Sequence, residues 1–143
     1  MDLSAFAARL APLPRTVGRP WHYFAQRGCI LDARGPLIID SSSRWGLGVR
    51  VITRSHDITD WPTLGRTIDR GVQVDADAWI GSFSLLVGCH IGAGAIVAAG
   101  TVVRCQDVAP RVMVAGNPAR VIARWNGERW IYLTDSGFSR SLE

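Results

Sequence analysis

The chain has 143 residues, of which 48% are hydrophobic, and a formal net charge of +4 at pH 7. This length predicts a single domain with its own hydrophobic core. The three cysteines are an odd number and form no CxxC pair, so neither a disulfide framework nor a zinc site is indicated, and we expect a reducing compartment. All the basic residues are arginines and none form a clustered run, so we expect no nucleic-acid partner.

Residues 1–28 are predicted to cap one end of the domain. Residues 3–10 suit a short helical turn, and the aromatic run PWHYF follows them. Arginines and prolines interrupt the region where a signal peptide would have its apolar segment, and no apolar run approaches the ~20 residues that span a bilayer. We therefore expect a cytoplasmic protein whose contact with membranes is at most peripheral.

Between residues 29 and 122, apolar residues recur at steps of six. The positions are Ile39, Trp45 and Val51, then Ile68, Val74 and Ile80, then Ile91, Val97 and Val103. All but the tryptophan are β-branched, which favours extended backbone, whereas a helix would need steps of three and four. Hairpins of such short strands would alternate direction, but a coil that advances one way brings the same residue inward each time. Three such sides per turn, with coils stacked roughly 4.8 Å apart, predict a parallel β-solenoid.

The alternative to a solenoid is an ordinary β-sandwich in which the six-residue spacing arises by chance. A glycine directly follows the apolar residue at Trp45-Gly46, Ile80-Gly81 and Ile91-Gly92. Regular glycines of this kind suit the corners of a coil, where the chain bends without a Cβ. The pairing therefore favours the solenoid.

The repeat departs from this pattern in three places. The step from Ile80 to Ile91 is eleven residues and not twelve, which predicts a corner shortened by one residue. The stretch TRSHDITDWPTLGRT breaks the phase, so residues 53–67 are predicted to form a loop that leaves the coil. Beyond residue 122 the repeat is lost, and residues 123–143 are predicted to form a C-terminal tail and cap that covers the open end.

The C-terminal half of the chain resembles the hexapeptide-repeat acyltransferases, which have a left-handed parallel β-helix. The motifs of that family occur in order: WIG at 79–81, then IGAGAIVAAGTVV, then GNPAR at 116–120. The segment SHDITD is most similar to the sugar O-acetyltransferases of surface-polysaccharide pathways, and more distantly to maltose, galactoside and antibiotic acetyltransferases. Serine acetyltransferase is a poorer match, because it usually has another residue where Asn117 stands.

The resemblance implies an all-β fold, a left-handed parallel β-helix with short terminal capping segments. It also implies a homotrimer with three equivalent sites in clefts between neighbouring coils, acetyl-CoA as co-substrate, and no bound cofactor or metal. A short three-sided column buries little surface alone, which independently favours a trimer. The acceptor would be a hydroxyl of a sugar or polysaccharide precursor. An N-acyltransferase of amino sugars and an antibiotic acetyltransferase remain alternatives.

Acetyl transfer from a thioester to a hydroxyl needs a base, donors for the developing oxyanion, and a slot that holds both substrates. A neutral imidazole supplies the base. His56, within SHD, stands where the family has its catalytic histidine, in a segment that leaves the coil. The alternative is a solvated loop histidine. His90, inside a regular coil, is predicted to be a surface residue, and His22 a packing or capping residue.

By the same resemblance, other residues contact the two substrates. Asp57, Asp60 and Trp61 are predicted to contact the acceptor, and a polar loop with a turn at Trp61-Pro62 is an equal alternative. The predicted donor contacts are Trp79 beside the pantetheine arm, main-chain groups of Ser82, Ala99, Gly100 and Thr101 on its amides, and Arg104 and Arg120 on the CoA phosphates.

Two other functions use the same fold. A zinc-dependent carbonic-anhydrase type needs three histidine ligands, but His22, His56 and His90 are each 34 residues apart and form no close pair. A non-catalytic trimeric scaffold would need neither the histidine nor the donor motifs. The sequence therefore favours an acyltransferase.

Overall fold

The computed structural model describes residues 16–133 and 139–141. Short parallel strands pair into three sheets, and successive strands along the chain move from one sheet to the next. This arrangement confirms the predicted all-β fold and is that of a left-handed parallel β-helix. The helical turn predicted for residues 3–10 lies outside the described residues. Within the described ranges, no helix is long and apolar enough to cross a membrane.

Each sheet forms one side of a three-sided column. The first side contains β1 (Thr16–Val17), β3 (Leu37–Ile39), β8 (Val72–Val74), β11 (His90–Ile91) and β14 (Asp107–Val108). The second side contains β2 (Ile30–Leu31), β5 (Arg50–Ile52), β10 (Leu85–Val87) and β13 (Val102–Arg104). The third side contains β4 (Arg44–Trp45), β9 (Trp79–Ile80), β12 (Ile96–Val97) and β15 (Val112–Ala115). Strand order within each side follows the chain, so each coil lies on the one before it.

The parallel register stacks equivalent residues into columns inside the solenoid. Val74, for example, pairs with Ile39 in the coil before it and with Ile91 in the coil after it. Every position of the six-residue repeat except Ile68 is buried, with at most 4% of its surface exposed. The core is therefore built from the β-branched residues that define the repeat.

The corner between the second and first sides is shorter than the others. In two successive coils the buried residues that flank it are five positions apart: Leu86 to Ile91, and Val103 to Val108. The shortening predicted for one coil is thus repeated in the next. The turn is made with a positive φ at equivalent positions, 49° at Gly88 and 52° at Cys105. Only the glycine adopts this conformation without steric cost.

After β5 the chain leaves the column and forms an antiparallel hairpin, which we call the arm (residues 54–69). The arm contains β6 (Arg54–His56), a 3-10 turn at Ile58–Asp60, and β7 (Thr67–Asp69). The amide of Arg70 donates to the carbonyl of Thr53 at 2.7 Å and closes the base of the arm. Ile68 therefore belongs to the arm, where it is half-buried, and not to the core. The excursion also continues past residue 67, where the loop was predicted to end.

Different elements cover the two ends of the column. At the N-terminal end, helix α1 (Trp21–Ala25) places Phe24 over the core, with its ring 5.2 Å from the ring of Trp45. His22, predicted to be a packing or capping residue, is exposed and so does not pack in the core, but it lies on this capping helix. At the C-terminal end, β16 (Arg120–Trp125), β17 (Trp130–Leu133) and β18 (Ser139–Ser141) extend the third side as antiparallel strands.

The glycine after each apolar residue allows adjacent coils to approach. A Cβ built on Gly81 would lie 2.5 Å from the backbone nitrogen of Ala99 in the next coil. We expect Gly81→Ala to lower the free energy of unfolding by ~1–3 kcal/mol through overpacking, measured by urea denaturation. The control is Gly65→Ala in the arm, where the nearest atom to a Cβ is Asp60 Oδ2 at 3.7 Å. This control should change stability by less than ~0.5 kcal/mol. Equal effects of the two substitutions would contradict the explanation.

Candidate active site

His56 is the last residue of β6 and projects from the arm beside the second side of the column. It lines a groove of about 540 Å³ together with Ile30, Ile52, Leu85 and Arg50. The imidazole is exposed, and among the residues that the structure describes it has no side-chain hydrogen-bond partner. Both ring nitrogens are therefore available to a molecule in the groove.

Asp57 holds the arm in shape through the residues that follow it. Its Oδ1 accepts hydrogen bonds from the hydroxyl and the amide of Thr59, at 2.6 and 3.0 Å. The guanidinium of Arg66 lies 3.4 Å from its Oδ2. The carboxylate thus caps the 3-10 turn, and it does not contact the imidazole of its neighbour.

Asp60 closes the other end of the same loop. Its Oδ2 accepts hydrogen bonds from the amides of Gly65 and Arg66, both at 3.1 Å. Arg66 Nε also lies 3.7 Å from its Oδ1. Of the three residues predicted to contact the acceptor, the two acids therefore organise the loop. Trp61, with 76% of its surface exposed, is left at the tip with Ile58, which is 77% exposed.

The cap at Asp57 predicts a pH response of the arm. Hydrogen bonds from the Thr59 hydroxyl and amide hold the pKa of the Asp57 carboxyl below its ordinary value of about 3.9. A pKa lowered by folding means that the carboxylate stabilises the arm above about pH 4, and that this contribution is lost as the pH falls through the folded-state pKa. The amide resonance of Thr59 should therefore titrate with a midpoint below about 3.9. Asp57→Asn should abolish that titration, and its persistence in the variant would assign it to another carboxyl.

Trp79 lies on the third side, where it is 53% exposed. It lines a second groove, of about 430 Å³, together with Ser82, Ile96 and Ala99. Gly46 and Gly81 form part of the floor, so the backbone itself is reachable there. The structure thus brings together three of the predicted donor contacts in a narrow, mostly apolar slot.

Comparisons with known proteins were made by sequence and by structure. No family model matches the chain. Over 96 residues it is 36% identical to serine acetyltransferase 2 of Arabidopsis thaliana, covering 66% of this chain and 28% of that one. Among solved structures, a maltose O-acetyltransferase from Clostridium difficile is 28% identical with a TM-score of 0.62, covering 67% of this chain and 52% of that one. A galactoside acetyltransferase in complex with coenzyme A is 25% identical with a TM-score of 0.51, covering 63% and 50%.

By sequence and by fold, the chain belongs to the hexapeptide-repeat acetyltransferase family. It spans 26% to 28% of the length of the two Arabidopsis serine acetyltransferases and about half of the sugar acetyltransferases. We expected serine acetyltransferase to be the poorer match. The sequence comparison gives 36% identity to the serine enzyme and the structural comparison gives 28% to the maltose enzyme, and these two values do not rank one enzyme above the other.

The other four predicted donor contacts of this hexapeptide-repeat protein do not line the Trp79 groove. The amide of Gly100 donates to the carbonyl of Ser82 at 2.8 Å, and the carbonyl of Thr101 accepts from the amide of Leu85 at 2.9 Å. Both groups thus hold adjacent coils together. Arg104 is exposed at the end of β13 on the second side. Arg120 lines a separate cavity of about 300 Å³ at the C-terminal end, where its Nη1 donates to the carbonyl of Ala119 at 2.9 Å.

A second histidine site, which the sequence does not reveal, lies on the first side. His90 Nε2 is 2.7 Å from Asp75 Oδ2, and Gln73 Nε2 donates to the other oxygen of that carboxylate at 2.8 Å. Both side chains of the His90–Asp75 pair are 30% exposed. His90 is thus a surface residue with its own carboxylate partner. Among the described residues, no group of three or more His, Cys, Asp or Glu could hold a metal ion.

Within one chain of this family member, the two grooves are separate. His56 faces the groove on the second side, whereas Trp79 lines the groove on the third side. The corner between these sides carries two exposed apolar residues, Leu47 and Phe83, with 56% and 71% of their surface exposed. Within one chain, the base and the slot therefore lie in different grooves.

Proposed function

We propose that the protein is an acetyl-CoA-dependent O-acetyltransferase that acts on a hydroxyl of a sugar or polysaccharide precursor. The observation that carries this proposal is the exposed imidazole of His56, which the arm presents to a groove with both nitrogens uncommitted. A general base must reach the proton of its substrate, and a nitrogen bonded within the protein would not be free to do so. Membership of the family supports acetyl-CoA as the donor.

The proposed reaction is a direct transfer. An imidazole nitrogen of His56 removes the proton of the acceptor hydroxyl as the hydroxyl oxygen attacks the carbonyl carbon of the thioester. The tetrahedral intermediate then collapses, the carbon–sulfur bond breaks, and the leaving sulfur takes the proton from the imidazolium. The products are the acetyl ester and CoA thiol, and His56 returns to its neutral state. A base placed in this way contributes typically ~10² to 10⁴ in rate.

We also propose that the active unit is a homotrimer in which the Trp79 groove of one copy faces the His56 groove of the next. The outward residues of the second and third sides are mostly apolar, with Ile30, Leu85, Trp79 and Ile96 beside Arg50 and Arg44. Those of the first side are mostly polar, with Gln73, His90 and Asp107 beside Ile38. Two mostly apolar sides and one mostly polar side suit a ring of three copies, in which each copy uses two sides for contacts. Native mass spectrometry that gives a monomer would contradict this arrangement.

The three cysteines are free thiols in the structure. Burial raises the pKa of the Cys89 thiol well above its ordinary value, so this thiol stays protonated and unreactive. These features support the proposal that the protein works in a reducing compartment such as the cytoplasm.

The proposed activity is tested by release of CoA thiol from acetyl-CoA in the presence of different acceptors. The panel contains neutral sugars, nucleotide sugars, amino sugars and L-serine, with mass spectrometry of each product. An ester on a sugar hydroxyl supports the proposal, and an amide on an amino sugar would replace it by the N-acyltransferase alternative. Acetyl-CoA binding without thiol release for any acceptor would indicate the non-catalytic scaffold.

L-Serine is in the panel because one observation favours it as a second candidate acceptor. The identity to serine acetyltransferase 2 of Arabidopsis thaliana is 36% over 96 residues. Serine carries a primary hydroxyl, so the same base and donor slot would serve it. The mass of the product distinguishes acetylserine from an acetylated sugar.

A further inference from the structure

The groove beside His56 contains three arginines, and two of them are neutralised by neighbours. Arg34 binds both oxygens of Asp32, through Nε at 2.9 Å and Nη2 at 3.0 Å. Arg54 binds both oxygens of Asp69 in the same way, at 2.6 and 3.2 Å. These bidentate pairs hold the groove wall and the arm, and each pair has a net charge close to zero.

Arg50 is the exception. Its Nη1 donates to the main-chain carbonyls of Gly28, at 2.8 Å, and Gly48, at 3.0 Å, and no carboxylate among residues 16–133 and 139–141 pairs with it. Nε and Nη2 of Arg50 have no partner in the same part of the chain. The carbonyls therefore fix one edge of the guanidinium, and within the described residues the other edge, formed by Nε and Nη2, has no hydrogen-bond partner.

This arrangement of Arg50 favours the binding of an anion in the groove. Carbonyl oxygens orient a guanidinium but leave its charge intact, and a planar edge with two donors matches a phosphate or a carboxylate. Arg50 is the strand neighbour of Ile30 and of Leu85, and all three line the groove that His56 faces. Ile30 and Leu85 offer apolar surface to the carbon atoms of an acceptor whose charged group lies at Arg50.

We propose that the acceptor carries an anionic group, a phosphate or a carboxylate, and that Arg50 binds it. This inference rests on the proposed function, because it takes the His56 groove as the acceptor site. Arg50 would bind the charged group of the acceptor, and a hydroxyl of the same acceptor would lie at the imidazole of His56. Arg50 is then a specificity-determining residue that improves binding of charged acceptors over neutral ones of the same size.

Calorimetry on the full chain with three matched probes tests the binding: glucose 1-phosphate, glucuronate and glucose. We expect at least one anionic probe to bind ~10-fold or more tightly than glucose, as for a charge-assisted bidentate contact. The two anionic probes distinguish a phosphate from a carboxylate. Arg50→Gln should reduce the affinity of the preferred anion to that of glucose. Equal binding of all three probes, or an unchanged preference in Arg50→Gln, would overturn the proposal.

Arg129→Gln is the matched control, because it removes the same charge from an exposed position near the C-terminal hairpin and should leave the preference unchanged. Arg50→Lys keeps the charge and should retain part of the preference. If Arg50→Gln does not fold, Arg50→Lys decides the question, since a lysine lacks the planar edge and must lower the preference at least ~3-fold.

An activity measurement separates this inference from the proposed function. If thiol release occurs with neutral and anionic sugars at equal KM, the acetyltransferase proposal stands and the Arg50 inference fails. If the anionic probes bind through Arg50 but no acceptor is acetylated, the groove binds anions and the proposed function fails. Both are supported when Arg50→Gln raises KM for the anionic acceptor ~10-fold with little change in kcat, the pattern of lost binding without lost chemistry.

Discussion

Replacing His56 by alanine is expected to reduce acetyl transfer at least ~10²-fold while folding and CoA binding stay unchanged. The imidazole is exposed and makes no side-chain hydrogen bond to the described residues, so its removal breaks no hydrogen bond among them. It also lies on a different side of the column from the Trp79 groove. Thiol release with a saturating acceptor measures the rate, and a thermal shift with CoA measures donor binding.

His90→Ala is the matched control for this prediction. His90 is equally a histidine at the surface, but its Nε2 lies 2.7 Å from Asp75 and it belongs to the first side, away from both grooves. Its removal should change turnover less than ~3-fold, within the effect of an ordinary surface substitution. Loss of activity in His90→Ala with full activity in His56→Ala would transfer the role of base to the His90–Asp75 pair.

Replacing Phe24 by alanine is expected to have the largest effect on stability, a loss of ~3–5 kcal/mol in the free energy of unfolding. Phe24 is 1% exposed and its ring lies 5.2 Å from Trp45 and 5.3 Å from Tyr23. The ring packs on Trp45 of β4, which is the terminal strand of the third side among the described residues. Its removal leaves a cavity that opens to solvent and exposes Trp45. Urea denaturation followed by circular dichroism measures the loss.

Trp21→Ala on the same helix is the control for the Phe24 prediction. Trp21 is 57% exposed, so it contributes little to the core. Its substitution should lower stability by less than ~1 kcal/mol. Similar losses in both variants would mean that the helix as a whole, and not the buried ring, closes the end of the column.

Much of the fold was predictable because one physical rule governs it. A coil that repeats every six residues per side must place the same residue type inward, and β-branched residues at Ile39, Val74 and Ile91 carry that signal. Ile68 fits the same spacing and yet lies in the arm. Periodicity reports a preference for extended backbone, and both a coil and a hairpin satisfy that preference. Only the pairing partner of Ile68, Ser55, distinguishes the two.

The candidate site was less predictable, because it depends on pairs of residues that are distant along the chain. His90 meets Asp75, fifteen positions earlier in the chain, because β11 pairs with β8 and places His90 opposite Gln73. Arg50 differs from Arg54 only in its partners, carbonyls in one case and a carboxylate in the other. A sequence shows that an arginine is present but not whether a carboxylate in the folded chain neutralises its charge. The roles of Asp57 and Asp60 as loop supports were likewise hidden, although an acid two residues before a threonine is a familiar capping pattern.

The closed base of the arm separates the hairpin that carries His56 from the coils that form the core. Thr53 and Arg70 are hydrogen-bonded to each other, so the chain departs from the column and rejoins it at almost the same point. The coils above and below continue in register as if the intervening residues were absent. Hairpins of other lengths and sequences are therefore interchangeable at this position. A library that keeps His56 in β6 and varies the tip of the arm would change which hydroxyl the acceptor presents to the imidazole, while the core stays the same.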